Sequence, residues 1–190
     1  MKVDTLFSEM PIFETDRLLL RQLSLDDVEE YYDFASDPIV STHTLWDRHE
    51  TVEDTINEMK KVIDKFELRQ AYRWAIVFKP HNKLIGRTGL ISWNVHHQLA
   101  EIGFALSSAY WNKGIMTEAT REILTYSFDT LDVNRIEGRC NYNNIGSARV
   151  MENIGMRFEG VLRQQLKIKG EFIDQKMYAI LKSDYNEIKN

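Results

Sequence analysis

The chain has 190 residues, 43% of them hydrophobic and 28% charged, with three prolines and nine glycines. That length suits one domain over residues 1–190 with an ordinary apolar core and no long disordered linker. The net charge of −5 argues against a general nucleic-acid binder, and no apolar run approaches the length of a membrane span. The first ten residues contain no apolar signal region, and the single cysteine, Cys140, excludes an internal disulfide framework or a cysteine metal cluster. A reducing, cytoplasmic setting is expected. The charge is divided unevenly: residues 1–70 carry −9 and the remainder +4.

In chain order, residues 17–23 predict a strand. Ser24 precedes Leu25-Asp26-Asp27 as a helix N-cap with acids in the first turn, where the helix dipole favours them. That helix is expected to end near Ser36, before Asp37-Pro38. Residues 39–49 are expected to be irregular. Thr51 caps a second helix, with Asp54 three positions on and Ile56, Met59, Ile63 and Phe66 at helical spacing. Tyr72 to Phe78 and Leu84 to Trp93 form a hairpin about residues 79–83, and Leu99 to Leu106 is a further strand. After a break at Asn112-Lys113-Gly114, a helix runs from about Met116 to Leu131. Arg135 to Cys140 is a strand, and Ser147 to Asn153 a short helix closed by Gly155. Strands at about 157–168 and 171–181 meet at Lys169-Gly170. The order predicts a mixed α/β layer fold.

One stretch carries the chemistry. The strand Ala100-Glu101-Ile102-Gly103-Phe104-Ala105-Leu106 leads through a turn to Trp111-Asn112-Lys113-Gly114-Ile115-Met116-Thr117, which opens a helix. Gly114 lets backbone approach a ligand closely, and the first N–H groups of a helix have no intrahelical partner. Together they make an anion cradle suited to a pyrophosphate. Neither G-x-x-x-x-G-K-[ST] nor G-x-G-x-x-G is present, so a P-loop and a Rossmann site are not expected.

The run Trp111 to Met116 resembles the pyrophosphate loop of the GCN5-related N-acetyltransferases. The segments Glu14 to Pro38 and Asn144-Ile145-Gly146-Ser147 to Gly155-Met156 resemble, more narrowly, the branch that acetylates the N-termini of ribosomal proteins. The likeness covers about residues 12–182. It implies an α/β fold with a central, seven-stranded, mostly antiparallel sheet splayed at its fourth strand, and about four helices on its two faces. It further implies that acetyl-CoA enters the splay. Backbone groups of Phe104, Ala105 and Leu106 would bond the pantetheine, in the manner of strand addition. N–H groups of Asn112, Lys113, Gly114, Ile115, Met116 and Thr117 would hold the pyrophosphate, and the Asn144 side chain would bond the pantetheine from the opposite wall. Ser147 would lie near the sulfur. The departures are Trp111 and Met116 at loop positions usually Gln/Arg and Gly/Ala, and Asn153 where a lysine is frequent.

Amine acetylation needs a neutral amine and a proton for the leaving thiolate. The resemblance makes Glu101 the expected base, with pairing to a neighbouring Arg or Lys as the alternative. Tyr178 and Ser147 are the expected acids. The alternatives are a core aromatic and an N-cap, respectively. Cys140 is expected to be a small core residue, with acetyl transfer direct rather than through a thioester on the protein. The five histidines lack zinc-type spacing, and no metal is expected. The acidic front suggests a cationic acceptor, either a basic protein N-terminus (as of a ribosomal protein) or a cationic small molecule such as a polyamine. Antibiotic or amino-acid acetylation and a non-catalytic CoA-binding module are the other readings. A homodimer is compatible with the sequence; neither nucleic acid nor membrane is expected as a partner.

Overall fold

The computed structural model describes residues 1–189. An eight-stranded sheet is ordered β1-β2-β3-β4-β5-β6-β8-β7. The strands are β1 Phe13–Glu14, β2 Leu18–Gln22, β3 Tyr72–Phe78, β4 Lys83–Asn94, β5 Leu99–Leu106, β6 Arg135–Asn141, β7 Arg157–Ile168 and β8 Glu171–Leu181. Neighbours are antiparallel except β5 and β6, which are parallel. The helices are α1 Asp4–Glu9, α2 Val28–Ala35, α3 Pro38–Ser41, α4 Val52–Glu67, α5 Ile115–Asp129, α6 Ile145–Asn153 and α7 Lys182–Lys189.

The expected caps form. Ser24 and Asp27 make a reciprocal capping box at the 3₁₀ turn leading into α2, and Thr51 and Asp54 make another at α4. Four short elements exceed the expected seven strands and four helices: β1, α1, α3 and α7. In place of an irregular run, residues 38–41 make a helical turn because Asp37 Oδ1 accepts the Ile39 N–H and Pro38 stands at N1.

Alternation along the strands separates two cores. On one face Tyr72, Trp74, Ile76, Ile102 and Ile136 pack against Leu6 of α1 and against Ile115, Ile123 and Phe128 of α5. On the other, Ala75, Leu84 and Ala105 pack against Tyr31 and Phe34 of α2 and Met59 of α4. Each large side chain so buried contributes roughly 1.5–3 kcal/mol.

The β5–β6 ladder is short. It runs from Leu99↔Arg135 to Ile102↔Gly138, whereas β4 stays paired with β5 as far as Leu106. Beyond Ile102, then, the β6-facing edge of β5 has no strand beside it. This is the expected splay, at the fourth of the long strands. A bulge in β4 between Leu90 and Ser92 adjoins it. Gly103 is required there: a Cβ would lie 2.8 Å from Ile91 Cγ2.

Candidate active site

The splay opens into a cavity of about 540 Å³. Phe104, Ala105 and Leu106 of β5 form one wall, the turn and first residues of α5 one end, and Asn144 to Ser147, Val150 and Asn153 the opposite wall. Ile39, Val40, His43 and Thr44 close the side beneath α2.

At the α5 end the chain makes two left-handed residues, Asn112 (φ 57°) and Gly114 (φ 71°). Gly114 is the N-cap, and no side chain caps the helix. The first helical bond runs from the Glu118 N–H to the Gly114 carbonyl. The N–H groups of Ile115, Met116 and Thr117 are therefore left to a ligand at the positive end of a four-turn helix. Met116, at a position usually small, turns its side chain into the core. The Trp111 indole N–H donates to the Leu106 carbonyl at 2.9 Å, which removes that oxygen from the free edge of β5.

The sequence reading missed the brace behind this turn. The Arg17 guanidinium donates to the Lys113 carbonyl (3.0 Å) and to Glu118 (Nε–Oε2 2.7 Å, Nη2–Oε2 2.6 Å). Thr15 Oγ1 also donates to Glu118, at 2.5 Å. Burial raises the Glu118 pKa, but the bonds from Thr15 and Arg17 outweigh it and hold the group below its usual range. Glu118 thus stays ionised, and Arg17 neutralises it beside an anion cradle. The only available signal was the strand-opening arginine followed by apolar residues, which does not reveal a partner 101 positions away.

Of the expected coenzyme residues, all but Lys113 line the cavity. Lys113 gives its carbonyl to Arg17 and its ammonium to the Ala109 carbonyl at 2.8 Å. Asn144, not Ser147, caps α6: its Oδ1 accepts the Ser147 N–H at 3.0 Å. That corrects the expected start of the helix. It leaves the Asn144 amide nitrogen, rather than its oxygen, to meet a ligand. Ser147 sits on the wall without capping duty.

The other two expected catalytic groups lie off the cavity wall. Tyr178 is buried, donates its hydroxyl to Glu152 Oε1 at 3.0 Å, and is pushed up to about 12 by burial and by that carboxylate. It is placed as a core aromatic with a satisfied hydroxyl. Glu101 is on the same face of β5 as Gly103 and Ala105, 3.9 Å from Arg139 Nε and accepting from Ser92 Oγ at 3.4 Å. Burial raises its pKa, and Arg139 opposes the rise. Cys140 is buried and pushed up to about 11 by desolvation, which makes it a poor nucleophile. Among the described residues no group of three or more His, Cys, Asp or Glu could hold a metal ion, and no helix is long and apolar enough to cross a membrane.

A parallel pair that parts beside a strand, with the next helix offering an uncapped N-terminus to the gap, suits a ligand that carries both amide groups and an anion. The acetyltransferase (GNAT) domain model matches residues 17–157, and the chain belongs to that family. It is 31% identical over 176 residues to the uncharacterized N-acetyltransferase p20 of Bacillus licheniformis, covering 93% of this chain and 99% of that one. The GNAT-family acetyltransferase from Bacillus anthracis superposes with a TM-score of 0.80 at 30% identity, over 91% of this chain and 99% of that one. Two further relatives differ in their acceptors. The spermidine N(1)-acetyltransferase of Vibrio cholerae is 25% identical over 89% of this chain and 95% of its own. The putative ribosomal N-acetyltransferase YdaF of Bacillus subtilis is 33% identical over 54% of this chain and 56% of its own. The protein is an N-acetyltransferase.

Proposed function

We propose that this single-domain enzyme transfers an acetyl group from acetyl-CoA directly to a primary amine, foremost the N-terminal amine of a protein, such as a ribosomal protein. The observation that carries the coenzyme assignment is the free edge of β5 leading straight into the uncapped start of α5. The edge suits the amides of a pantetheine arm, and the start of the helix suits a pyrophosphate. When bound, acetyl-CoA supplies an activated thioester. Phe104 and Ala105 offer backbone groups to the arm, and a backbone N–H on this edge is positioned to polarise the thioester oxygen. Ser147, whose hydroxyl is on the wall and free of capping duty, hands a proton to the departing sulfur. Glu101, with its raised affinity for protons, serves as base through water at the acceptor side, because it stands two residues from Gly103 on the face shared with Ala105.

The reading as a protein N-terminal acetylase is supported by the motif likeness around Asn144 and by the partial match to YdaF. The charge argument for a basic acceptor loses force. Asp4, Glu14, Asp27, Asp33 and Glu58 are in ion pairs, and Asp37 and Asp54 cap helices. Among the described residues the cavity wall carries no Asp or Glu. A small-molecule amine, as for the spermidine enzyme, is the second reading, and its full-length match favours it. Release of CoA measured with a panel of peptides and polyamines tests both; CoA release with no amine in the panel would overturn the proposal.

A further inference from the structure

The face of the sheet covered by α2 and α4 carries two arginines in largely apolar strands. Arg73 stands on β3 within Tyr72-Arg73-Trp74-Ala75, and Arg87 on β4 within Ile85-Gly86-Arg87-Thr88. Arg87 is only 4% exposed. Its Nη2 pairs with Glu58 Oε1 at 3.1 Å, while its Cζ lies 5.4 Å from the Tyr31 ring centre and 5.2 Å from that of Trp46. Arg73 makes no ion pair among the described residues, and burial together with the Arg87 charge pushes it down to about 10. Arg87 alone pairs with the nearby carboxylate, which leaves the half-buried Arg73 guanidinium as a positive charge in excess.

Among the described residues, five buried side-chain nitrogen or oxygen atoms lack a hydrogen-bond partner: Tyr31 Oη, Trp46 Nε1, Tyr72 Oη, Arg73 Nε and Arg87 Nη1. All but Tyr72 fall in this one cluster. Burying a donor unpaired is unfavourable, and a gathering of such donors calls for a shared acceptor. The cluster adjoins the cavity. Arg87 is directly opposite Ala105 in the β4–β5 register, and Ala105 and Val40 belong both to the cavity wall and to the apolar cluster around Tyr31. Thr44, on the cavity wall, precedes Trp46 by two residues and accepts no bond from it; its hydroxyl donates to the Trp46 carbonyl at 2.9 Å.

We propose that Arg73, Arg87, Trp46 and Tyr31 form the acceptor-recognition subsite, and that the amine this enzyme acetylates also carries a carboxylate. The inference rests on the acetyltransferase reading above. It adds that the acceptor's own anion balances the second arginine, while its amine turns back past Ala105 towards the splay. The carboxylate belongs either to a free amino acid or to an acidic side chain next to a peptide N-terminus. Both present the same group to the same donors.

The test measures kcat/KM by CoA release from the intact protein with matched acceptors. One arm compares free amino acids with their carboxamides; the other compares peptides bearing Asp or Glu at the second position with their Asn or Gln counterparts. We expect the carboxylate member to be favoured by at least about tenfold in one arm, because unpaired buried donors reject the neutral analogue. The arm that shows it identifies the source. Arg87→Met combined with Glu58→Gln removes the ion pair together, and Arg73→Gln removes the unbalanced charge alone. In each variant the preference is expected to fall to within about twofold. Acetylation of amines with no carboxylate preference in either arm, or a preference that survives both variants, overturns the inference and leaves the acetyltransferase reading standing. Failure to acetylate any amine removes that reading itself, and the inference with it.

Discussion

Replacing Arg17 by Gln separates the brace behind the anion cradle from the cradle itself. In the wild type, Glu118 receives two close guanidinium contacts, at 2.7 and 2.6 Å, in the first turn of α5. A charge-assisted hydrogen bond is worth about 1.5–3 kcal/mol when sheltered. Here the Arg17 and Glu118 side chains are 41% and 22% exposed, so solvent screening reduces the loss to about 1 kcal/mol of stability. The effect on the coenzyme has a separate origin. Without Arg17, an ionised carboxylate stands uncompensated about one helical turn from the N–H groups proposed to meet the pyrophosphate. At an effective dielectric between that of the protein surface and that of water, this repulsion is about 1 kcal/mol, or about fivefold in KM for acetyl-CoA. Steady-state CoA release at varied acetyl-CoA reads the KM, and thermal unfolding reads the stability. The expected result is a raised KM with kcat within about twofold of wild type, and recovery of KM in Arg17→Gln/Glu118→Gln. An unchanged KM in the single variant, or a KM still raised in the double variant, refutes the reasoning. Acid supplies a further check. The Glu118 pKa is held low in the folded state, so the pair's stabilisation is present above the unfolded carboxylate pKa and is lost as pH falls through the lowered value. The stability gap between wild type and Arg17→Gln should close in acid.

Ser147→Ala is expected to lower kcat about a hundredfold if the hydroxyl delivers the thiolate's proton. Tyr178→Phe, whose hydroxyl is committed to Glu152, should retain kcat within about twofold and lose about 1 kcal/mol of stability; equal losses of kcat in the two would reverse the assignment. For Glu101, burial raises the folded pKa, so its contribution to stability is present below the unfolded pKa and disappears as pH rises through the folded one. Wild type compared with Glu101→Gln should therefore be relatively less stable at pH 8 than at pH 4, which thermal unfolding at the two pH values checks, while kcat/KM for the amine falls. Gly114→Ala introduces no contact closer than 3.7 Å, so only the left-handed backbone resists it. About 1 kcal/mol of destabilisation is expected from equilibrium denaturation, together with weaker acetyl-CoA binding by calorimetry.

The long elements were legible because their signals are local. Ser24 and Thr51 announce their capping boxes within four residues, and Gly155 closes α6 as a left-handed residue after the helix. The short elements depend on partners elsewhere. Nothing within the six residues of α1 shows that Leu6 will be fully buried against the sheet, and the β1 pairing needs Leu19 and Leu20 as its template. Asn144 and Ser147 are equally good caps in isolation; the backbone entering α6 decides between them. The cradle was legible because a strand, a glycine turn and a helix start are contiguous. Whether Glu101 and Tyr178 reach the gap depends on where the β5–β6 ladder ends, a property of paired residues more than thirty positions apart. Arg73 and Arg87 left one local trace, a charge within an apolar strand, but their convergence with Trp46 and Tyr31 exists only in the folded chain.

In direct transfer, acetyl-CoA bound in this cavity delivers its acetyl group straight to an amine. Mixing the enzyme with a limiting amount of acetyl-CoA, first alone and then with an amine acceptor, and following both protein and amine by intact-mass spectrometry tests it directly. Direct transfer predicts an unmodified protein in the absence of amine, and one acetyl group on the amine for each CoA released once it is added. A stable acetyl group on the protein before amine is added, at Cys140 or elsewhere, or release of CoA without an acetylated amine, would contradict it.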